Sequence, residues 1–520
     1  MKITLARWLL LGAIAGSMPV LALDGDTGIH DPSTVIVHAG RYYTYGTGGL
    51  PILSSDDGWT WQRQGSVMAT LPGGKPGEAT LARGGNNAWA PDVIRIGDQY
   101  YMYYSAPGTQ PRSAIGLLIG KTLDPKSPDY GWRDAGPVVW SDGVEDSNAI
   151  DPGVLLGPDG RLWLTYGSYF GYIRLVELDP KTGLRRYPDR PATNVAINSE
   201  ASIPIYHDGW YYLLVTHGSC CQGANSTYNI RMGRSRKVTG PYLDNMGVDM
   251  VEGGGKLFAG SRGRHVGPGH FGLLDLGQGV QKFSLHYEAD LDRGGISVLD
   301  LRPLLWRDGW PVAGDNLVAG KYSIESARTG TVLELAVQGY PVGGFRQRRG
   351  GPPGSGIVGN GPPPAGPPAA GAPPAGPPPP PQAGPPIADQ DPSQVAANWP
   401  ATSGVRLAPA MLQAQQKWVI APVANVGGYP GAPWFRISIA GTERSLTATE
   451  GGELTARAFS AAPEQLWRID QLTDGTYRIS PKAVPGTSET LALSAVGSSM
   501  PTLSKFDPTS DRQRWLLGAP

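Results

Sequence analysis

The feature that most constrains the fold is a hairpin unit that recurs four times in the first half of the chain. Each unit has an apolar strand, a tight turn and an aromatic strand, and the turns are Ala39-Gly40, Gly97-Asp98, Asp159-Gly160 and Asp208-Gly209. Spacings of 58, 62 and 48 residues separate the second-strand aromatics Tyr43, Tyr101, Trp163 and Tyr211. Small antiparallel sheets that repeat at this spacing without helical periodicity predict a β-propeller.

A fifth, less regular unit runs from about Gly267 to Val312. We therefore expect a five-bladed propeller over residues 24–316. A β-sandwich is the alternative, but about 290 residues of repeats are too many for a single sandwich.

A second repeat occupies the C-terminal part, where Gln-x-Trp occurs three times and ends at Trp418, Trp467 and Trp515. Three evenly spaced copies resemble the ricin-type β-trefoil, which would be a carbohydrate-binding domain at 320–520. Gly, Pro and Ala dominate residues 339–386 and cannot bury a core, so we expect a disordered insertion at about 339–397, inside the first copy. The expected fold class is all-β: a five-bladed β-propeller followed by a β-trefoil that a Pro/Gly-rich segment interrupts.

The N-terminus predicts a signal peptide at residues 1–22. Lys2 and Arg7 precede a short apolar run, and small residues follow up to Ala22. The run is too short to span a bilayer, so we expect a secreted or periplasmic protein without membrane contact after cleavage.

Charge and cysteine content exclude two further classes. The 44 basic residues balance 44 acidic ones, so a nucleic-acid partner is not expected. The only two cysteines, Cys220 and Cys221, are adjacent, which excludes a disulfide framework. A bridge between neighbours would be strained, so we expect two free, buried thiols.

Three carboxylates occupy matching positions in the repeated units. Asp31 and Asp151 each lie 12 residues before the second-strand aromatic, and Glu200 lies 11 before it. Inner propeller strands line the central channel, so these side chains should converge at one mouth of the axis. An Asp before Pro can also simply begin a turn. However, clustered like charges are costly and usually serve catalysis or metal binding, and paired acids are the machinery of glycoside hydrolysis.

Several motifs together resemble family-43 glycoside hydrolases, and the closest subgroup is the endo-1,5-α-L-arabinanases. The resemblance rests on His30-Asp31-Pro32-Ser33, Trp89-Ala90-Pro91-Asp92-Val93, Asn148-Ala149-Ile150-Asp151-Pro152-Gly153, Ser199-Glu200-Ala201-Ser202, Gly267-Pro268-Gly269-His270 and the segment with Cys220-Cys221. It implies an inverting hydrolase that cleaves internal α-1,5-L-arabinofuranosyl linkages of arabinan. Asp31 would be the general base, Glu200 the general acid, and Asp151 would orient Glu200 and raise its pKa.

The resemblance also implies further site residues and partners. His270 would help to hold a calcium ion near the axis, largely through water, with His265 as the alternative ligand. No organic cofactor is expected. The expected substrate-binding residues are Trp89, Asn148, Ile150, Ser168, Phe170 and His217. The partner would be plant cell-wall polysaccharide, namely arabinan or pectin side chains, and we expect a monomer.

Two alternatives remain open from the sequence. An exo-acting α-L-arabinofuranosidase or a β-xylosidase would share the fold, because rim loops decide whether the cleft is open at both ends. A non-catalytic sugar-binding propeller joined to a lectin is the second alternative, although the presence of all three carboxylates argues against it.

Overall fold

The computed structural model describes residues 22–144, 147–336 and 403–520. The predicted insertion at about 339–397 and the predicted signal peptide, apart from Ala22, lie outside the described residues. In the described part, no helix has the length and apolar character needed to cross a membrane.

The first half folds into five small sheets, as the repeats predict. Blades 2 to 5 have four strands each. Blade 1 has five, because a short N-terminal strand runs parallel to its outer strand. The strands of blades 1 and 2 are Asp24–Gly25, Ile36–His38, Arg41–Tyr45, Pro51–Ser55 and Thr60–Ser66, then Trp89–Ile96, Gln99–Pro107, Ser113–Gly120 and Trp132–Ser141. Those of blades 3, 4 and 5 are Gly153–Leu156, Leu162–Tyr166, Tyr172–Leu178 and Thr193–Ile197; Glu200–His207, Trp210–His217, Asn229–Ser235 and Lys256–Ala259; and Val266–Asp275, Gln281–Ala289, Ile296–Arg307 and Trp310–Ala313. The fold is thus an all-β, five-bladed β-propeller followed by a second β domain.

Helical structure is sparse among the described residues. One α-helix, Glu78–Arg83, lies between blades 1 and 2. The 3₁₀ turns are Met68–Thr70, Pro72–Gly74, Gly223–Asn225, Met250–Glu252, Leu291–Arg293, Ala414–Gln416, Glu450–Gly452, Pro463–Gln465 and Asp511–Gln513.

The core lies between neighbouring blades rather than inside any one sheet. Successive side chains of a strand point to opposite faces of the sheet, so the second strand of blade 2 packs against the blades on both sides. Tyr100, Met102 and Tyr104 pack with blade 1, whereas Tyr101 and Tyr103 pack with blade 3. This two-sided burial explains why the second strands carry aromatic residues.

The N-terminal segment closes the ring by joining blade 1 to blade 5. Ile29 N–H donates to Ser297 O at 3.0 Å, and Leu299 N–H donates to Thr27 O at 2.9 Å. Beneath these bonds, a buried cluster combines Trp61 and other apolar residues of blade 1 with Leu274, Leu299 and Leu301 of blade 5. We call the contact between blades 1 and 5 the seam.

The second β domain repeats the same contacts three times. The indole N–H groups of Trp418, Trp467 and Trp515 donate to the carbonyls of Leu333, Leu446 and Leu493 at 2.8, 2.9 and 2.9 Å. Each tryptophan also pairs with an aromatic strand residue, namely Tyr322, Phe435 or Tyr477. These tryptophans are fully buried, so they form the domain's core.

Fourteen strands build this domain within the described residues. They are Gly320–Ser326, Thr331–Leu335, Ser403–Pro409, Trp418–Pro422, Gly428–Tyr429, Ala432–Pro433, Phe435–Ile439, Arg444–Ala448, Leu454–Ala458, Trp467–Gln471, Tyr477–Pro481, Leu491–Val496, Met500–Lys505 and Trp515–Gly518. Ten of these strands form one continuous sheet.

Candidate active site

One residue with a left-handed backbone stands at the same place in every blade, at or just before the inner strand. These residues are Asp31, Ala90, Asp151, Ala201 and His270, with φ angles of 50°, 37°, 56°, 48° and 61°. Residues other than glycine rarely adopt this backbone conformation, because it costs roughly 1–3 kcal/mol per residue. Such strained residues cluster at functional sites. The ring of strained residues therefore marks one end of the propeller axis as the functional end.

A side chain of the preceding blade holds each of these backbones. The N–H groups of Ala90, Asp151 and His270 donate to Thr47 Oγ1, Ser105 Oγ and Thr216 Oγ1 at 2.9, 2.8 and 3.0 Å. Ala201 N–H donates to Asp151 Oδ2 at 3.2 Å, and Asp31 N–H closes the circle by donating to His286 Nδ1 at 3.1 Å. These bonds fix the direction of the carboxylates, because each strained backbone is anchored across a blade boundary.

A cleft of about 790 Å³ opens at this end and brings the three predicted carboxylates together. Asp31, Asp151 and Glu200 all line it, although they belong to blades 1, 3 and 4. A cleft of this volume is in the usual range for small-ligand sites. The spatial convergence expected from the repeat positions is therefore present.

Asp31 is surrounded by groups that favour its ionised form. Its carboxylate accepts a hydrogen bond from Thr47 Oγ1 at 2.6 Å, and His30 Nε2 and His270 Nδ1 lie 3.4 and 3.3 Å from its Oδ1. Burial opposes ionisation, but the three imidazoles of His30, His270 and His286 outweigh it and hold the pKa of Asp31 well below its usual range. Asp31 is thus an ionised carboxylate that can accept a proton.

Glu200 has the opposite character. Burial, reinforced by the negative charge of Asp31, raises the pKa of Glu200 to about 7, and a hydrogen bond from the Tyr228 hydroxyl opposes that rise. Glu200 therefore keeps its proton in mildly acidic solution and can donate it.

Asp151 lines the same cleft, and its carboxyl group interacts with that of Glu200. The pKa of Asp151 is itself raised well above its usual range by burial and by the charge of Glu200. Its Oδ2 accepts from the N–H of Ala201, the residue after Glu200, so Asp151 can orient Glu200 through the backbone.

Five of the six predicted substrate-binding residues line the cleft, namely Trp89, Ile150, Ser168, Phe170 and His217. Phe170 is 49% exposed, which leaves a ring face free for stacking. Asn148 is fully buried instead, where its amide accepts from Ser113 Oγ and donates to Ser168 Oγ at 2.7 and 2.9 Å. The position of Asn148 corrects its assignment as a direct sugar ligand, because its hydrogen bonds hold Ser168 from behind.

The predicted metal ligand His270 is buried at the axis beside Asp31. His265, the alternative, lies elsewhere, 3.5 Å from Asp300 and stacked on Tyr287. Among the described residues, His30, Asp31 and His286 form one group whose ligand atoms lie within 4.8 Å of one another. This group supplies a single carboxylate, whereas calcium takes six to eight oxygen ligands. It therefore suits only a cation whose remaining ligands are water.

The expectation of two free, buried thiols is wrong. Cys220 and Cys221 form a disulfide between neighbours, and both residues line the cleft. Cys221 has a left-handed backbone with φ of 62°, and its Sγ lies 3.8 Å from His30 Nε2. The disulfide does not belong to the buried core, because Cys221 is exposed and Cys220 is half-buried.

Several residues of the site escaped the sequence analysis, among them Thr47, which donates to Asp31, and also Tyr228 and His286. Tyr228 precedes a blade 4 strand without any recurring spacing, so nothing in the sequence distinguished it. His286 lies on the second strand of blade 5 and pairs with Gly269, as Ser105 pairs with Trp89 and Thr216 with Glu200. Alignment of the fifth blade with the other four would have found it.

The chain matches the family model described as glycosyl hydrolases family 43 over residues 19–311. It is 35% identical over 294 residues to the extracellular endo-alpha-(1->5)-L-arabinanase 1 of Bacillus subtilis (strain 168), which covers 54% of this chain and 87% of that protein. It is 34% identical over 306 residues to the extracellular exo-alpha-(1->5)-L-arabinofuranosidase ArbA of Cellvibrio japonicus (strain Ueda107), covering 54% and 85%.

A solved structure supports the same relationship. The α-L-arabinanase of Cellvibrio cellulosa complexed with arabinohexaose is 31% identical, covers 55% of this chain and 95% of its own, and has a TM-score of 0.51. The family match spans more than half of this chain and contains all three cleft carboxylates. The chain therefore belongs to glycosyl hydrolase family 43 and is a glycoside hydrolase acting on O-glycosyl bonds.

Proposed function

We propose that this protein is an inverting arabinan endo-1,5-α-L-arabinosidase. The observation that carries the proposal is the pairing, in one cleft, of an ionised Asp31 with a protonated Glu200. Relatives named as arabinanases support the choice of substrate.

The two carboxyl groups divide the reaction between them. Asp31 accepts a proton from a water molecule, whose oxygen forms a bond to the anomeric carbon from the face opposite the leaving group. Glu200 donates its proton to the departing glycosidic oxygen as the old carbon–oxygen bond breaks. Asp31 ends the cycle protonated and Glu200 ionised, and proton exchange with solvent restores both groups.

The cleft walls position the sugar chain for this attack. Furanose rings offer apolar C–H faces, so Trp89 and Phe170 serve as stacking surfaces, and Ile150 forms the floor beside Asp151. Ser168 and His217 supply polar atoms for sugar hydroxyls.

A calcium ion near the axis is part of the proposal, with His270 as its protein ligand and water completing the shell. When bound, the ion would supply positive charge near the carboxylates. Treatment with a chelator should lower both activity and the melting midpoint, and added calcium should restore them. Activity and midpoint that are unchanged after chelation would contradict the calcium assignment.

The C-terminal domain is proposed to be a ricin-type β-trefoil that binds plant cell-wall polysaccharide. The threefold repetition of the Trp418, Trp467 and Trp515 contacts supports the trefoil. The N-terminal charge pattern and the relatives named extracellular support export. Retention of the inactive Glu200→Gln chain on insoluble arabinan tests the binding role, and a chain that stays in solution would oppose it.

Product release from debranched arabinan tests the proposed activity. Oligosaccharides should appear first, and Asp31→Asn and Glu200→Gln should each lower kcat at least about 10³-fold while the circular dichroism spectrum stays unchanged. Early release of arabinose alone would indicate the exo-acting alternative that one relative represents. Full activity in either variant would remove the assignment of these carboxylates.

A further inference from the structure

The C-terminal domain contacts the propeller across the seam, because one of its hairpins reaches both blade 1 and blade 5. This hairpin, Gly428–Tyr429 with Ala432–Pro433, is named here the clasp hairpin. On blade 1, Asp57 Oδ2 accepts from Gly428 N–H at 2.8 Å, and Gly58 O accepts from Gly431 N–H at 3.1 Å.

The clasp hairpin packs against both blades without space for a side chain. A Cβ at Gly428 would overlap the side chain of Trp59 in blade 1. A Cβ at Gly431 would lie 2.7 Å from Leu301 O in blade 5. Trp59 and Leu301 both belong to the buried cluster that closes the seam, so the hairpin covers that cluster directly.

A second set of bonds ties the domain to blade 5. The backbone N–H of Trp306 donates to Thr473 O, and the backbone N–H of Thr473 donates to Gly279 O, both at 2.8 Å. Val280 and Leu472, one from each domain, are fully buried in a shared apolar cluster. The burial resembles a protein interior rather than a contact between independently moving domains.

Buried charges lie at the same junction. Asp470 is fully buried and accepts from Arg468 Nε and Arg478 Nη2 at 2.7 and 2.6 Å. Lys282 of blade 5 is 3% exposed, and its Nζ lies 3.3 Å from the position of a Cβ at Gly431. Burial lowers the pKa of Lys282 to about 8 and the charge of Asp470 opposes that fall, so the two charges interact across the junction and favour one relative position of the domains.

The junction is also connected to the catalytic base. Lys282 and His286 lie on one strand, Gln281–Ala289, and both side chains are buried. His286 accepts from the backbone of Asp31 across the seam. A change in the seam would therefore reach the left-handed backbone that presents Asp31 to the cleft.

We propose that the C-terminal domain acts as a clasp that holds blades 1 and 5 together across the seam, in addition to any binding of sugar. The interface is then part of the catalytic unit's structure, and not only the base of a tether. This inference does not depend on the substrate, because it rests on contacts between the two domains.

Hydrogen–deuterium exchange of the full chain tests the proposal. Gly428→Ala and Leu472→Ala replace residues of the C-terminal domain only. Faster exchange in the propeller of these variants would therefore show that the domain stabilises the seam. We expect faster exchange in residues 23–35 and 296–301 of the seam and a melting midpoint at least about 3 °C lower. Peptides of blade 3 should exchange as in the unchanged chain.

Two control variants stay within the C-terminal domain. Gly404→Ala places a Cβ where no atom lies within 4 Å, and Leu493→Ala opens a cavity in the domain's own core. Both should leave exchange at the seam unchanged. Exchange that rises only within the C-terminal domain in Gly428→Ala and Leu472→Ala, or two separate melting transitions in the unchanged chain, would overturn the clasp.

Discussion

At the scale of single residues, the proposed acid and the proposed base differ in the groups that surround their carboxyls. Asp31 has three imidazoles around it, so its pKa is lowered despite burial. Glu200 is buried and lies near the negative charge of Asp31, and the weaker effect of His270 does not offset these two, so its pKa rises to about 7. Tyr228 limits this rise more than His270 does, because its hydroxyl donates to the ionised carboxylate.

The Tyr228→Phe substitution should move the basic limb of the pH profile to higher pH. A hydrogen bond to a carboxylate stabilises the charged form and lowers its pKa, so loss of the hydroxyl raises the pKa of Glu200 further. We expect the fall of kcat/KM above about pH 7 to shift upward by about one unit.

Tyr242→Phe provides the matched control, since its buried hydroxyl donates to Val238 O, away from the carboxylates. Tyr242→Phe should leave the basic limb of the pH profile at the same pH. A basic limb in Tyr228→Phe that stays where it is, or moves to lower pH, would contradict the assignment of Glu200 as the acid.

At the scale of strands, hydrogen bonds between blades determine the geometry of the site. Asp92 of blade 2 is buried and accepts two backbone hydrogen bonds. One comes from Thr34 N–H, just before the inner strand of blade 1, at 3.2 Å, and the other from Val154 N–H of blade 3 at 3.0 Å. It therefore connects three consecutive blades beside the residues that carry Asp31 and Asp151.

The Asp92→Ala substitution should destabilise the propeller by about 2–4 kcal/mol, because two buried N–H groups lose their acceptor. Chemical denaturation measures this change, and Asp129→Ala, at an exposed position, should alter stability by less than about 0.5 kcal/mol. Equal stability of both variants would show that Asp92 does not connect the blades.

The sequence predicts this level of structure well where a pattern repeats. The carboxylates could be placed because hairpins of similar length bring them within one residue of the same position: Asp31 and Asp151 have the left-handed backbone, and Glu200 directly precedes the equivalent residue, Ala201. Asn148 was assigned to the wrong depth, because sequence position alone does not separate a cleft wall from the residue behind it. Tyr228 and the Cys220–Cys221 disulfide belong to a loop without repeats, so their positions depend on contacts distant in the chain.

At the scale of the whole molecule, the two domains form one packed unit. The buried cluster around Val280 and Leu472 and the contacts of the clasp hairpin arise from surfaces far apart in sequence. No periodicity predicts such an interface. The sequence suggested an appended binding domain, whereas the structure adds contacts between that domain and both sides of the seam.

Removal of residues 320–520 should therefore lower the melting midpoint of the propeller, because Val280 and Lys282 would become exposed. We expect activity on soluble arabinan to fall as well as activity on insoluble material, which calorimetry and parallel assays would measure. A truncated chain with an unchanged midpoint would show that the propeller does not need the C-terminal domain.

The central claim is that Asp31 and Glu200 act together on one glycosidic bond from opposite sides. Proton NMR of the first sugar released from linear α-1,5-arabinan tests it most directly, since the spectrum distinguishes the two anomers before they interconvert. We predict that the new reducing end appears first as the β-anomer, because a single displacement inverts the α-linkage. An α-anomer as the first product would contradict the account.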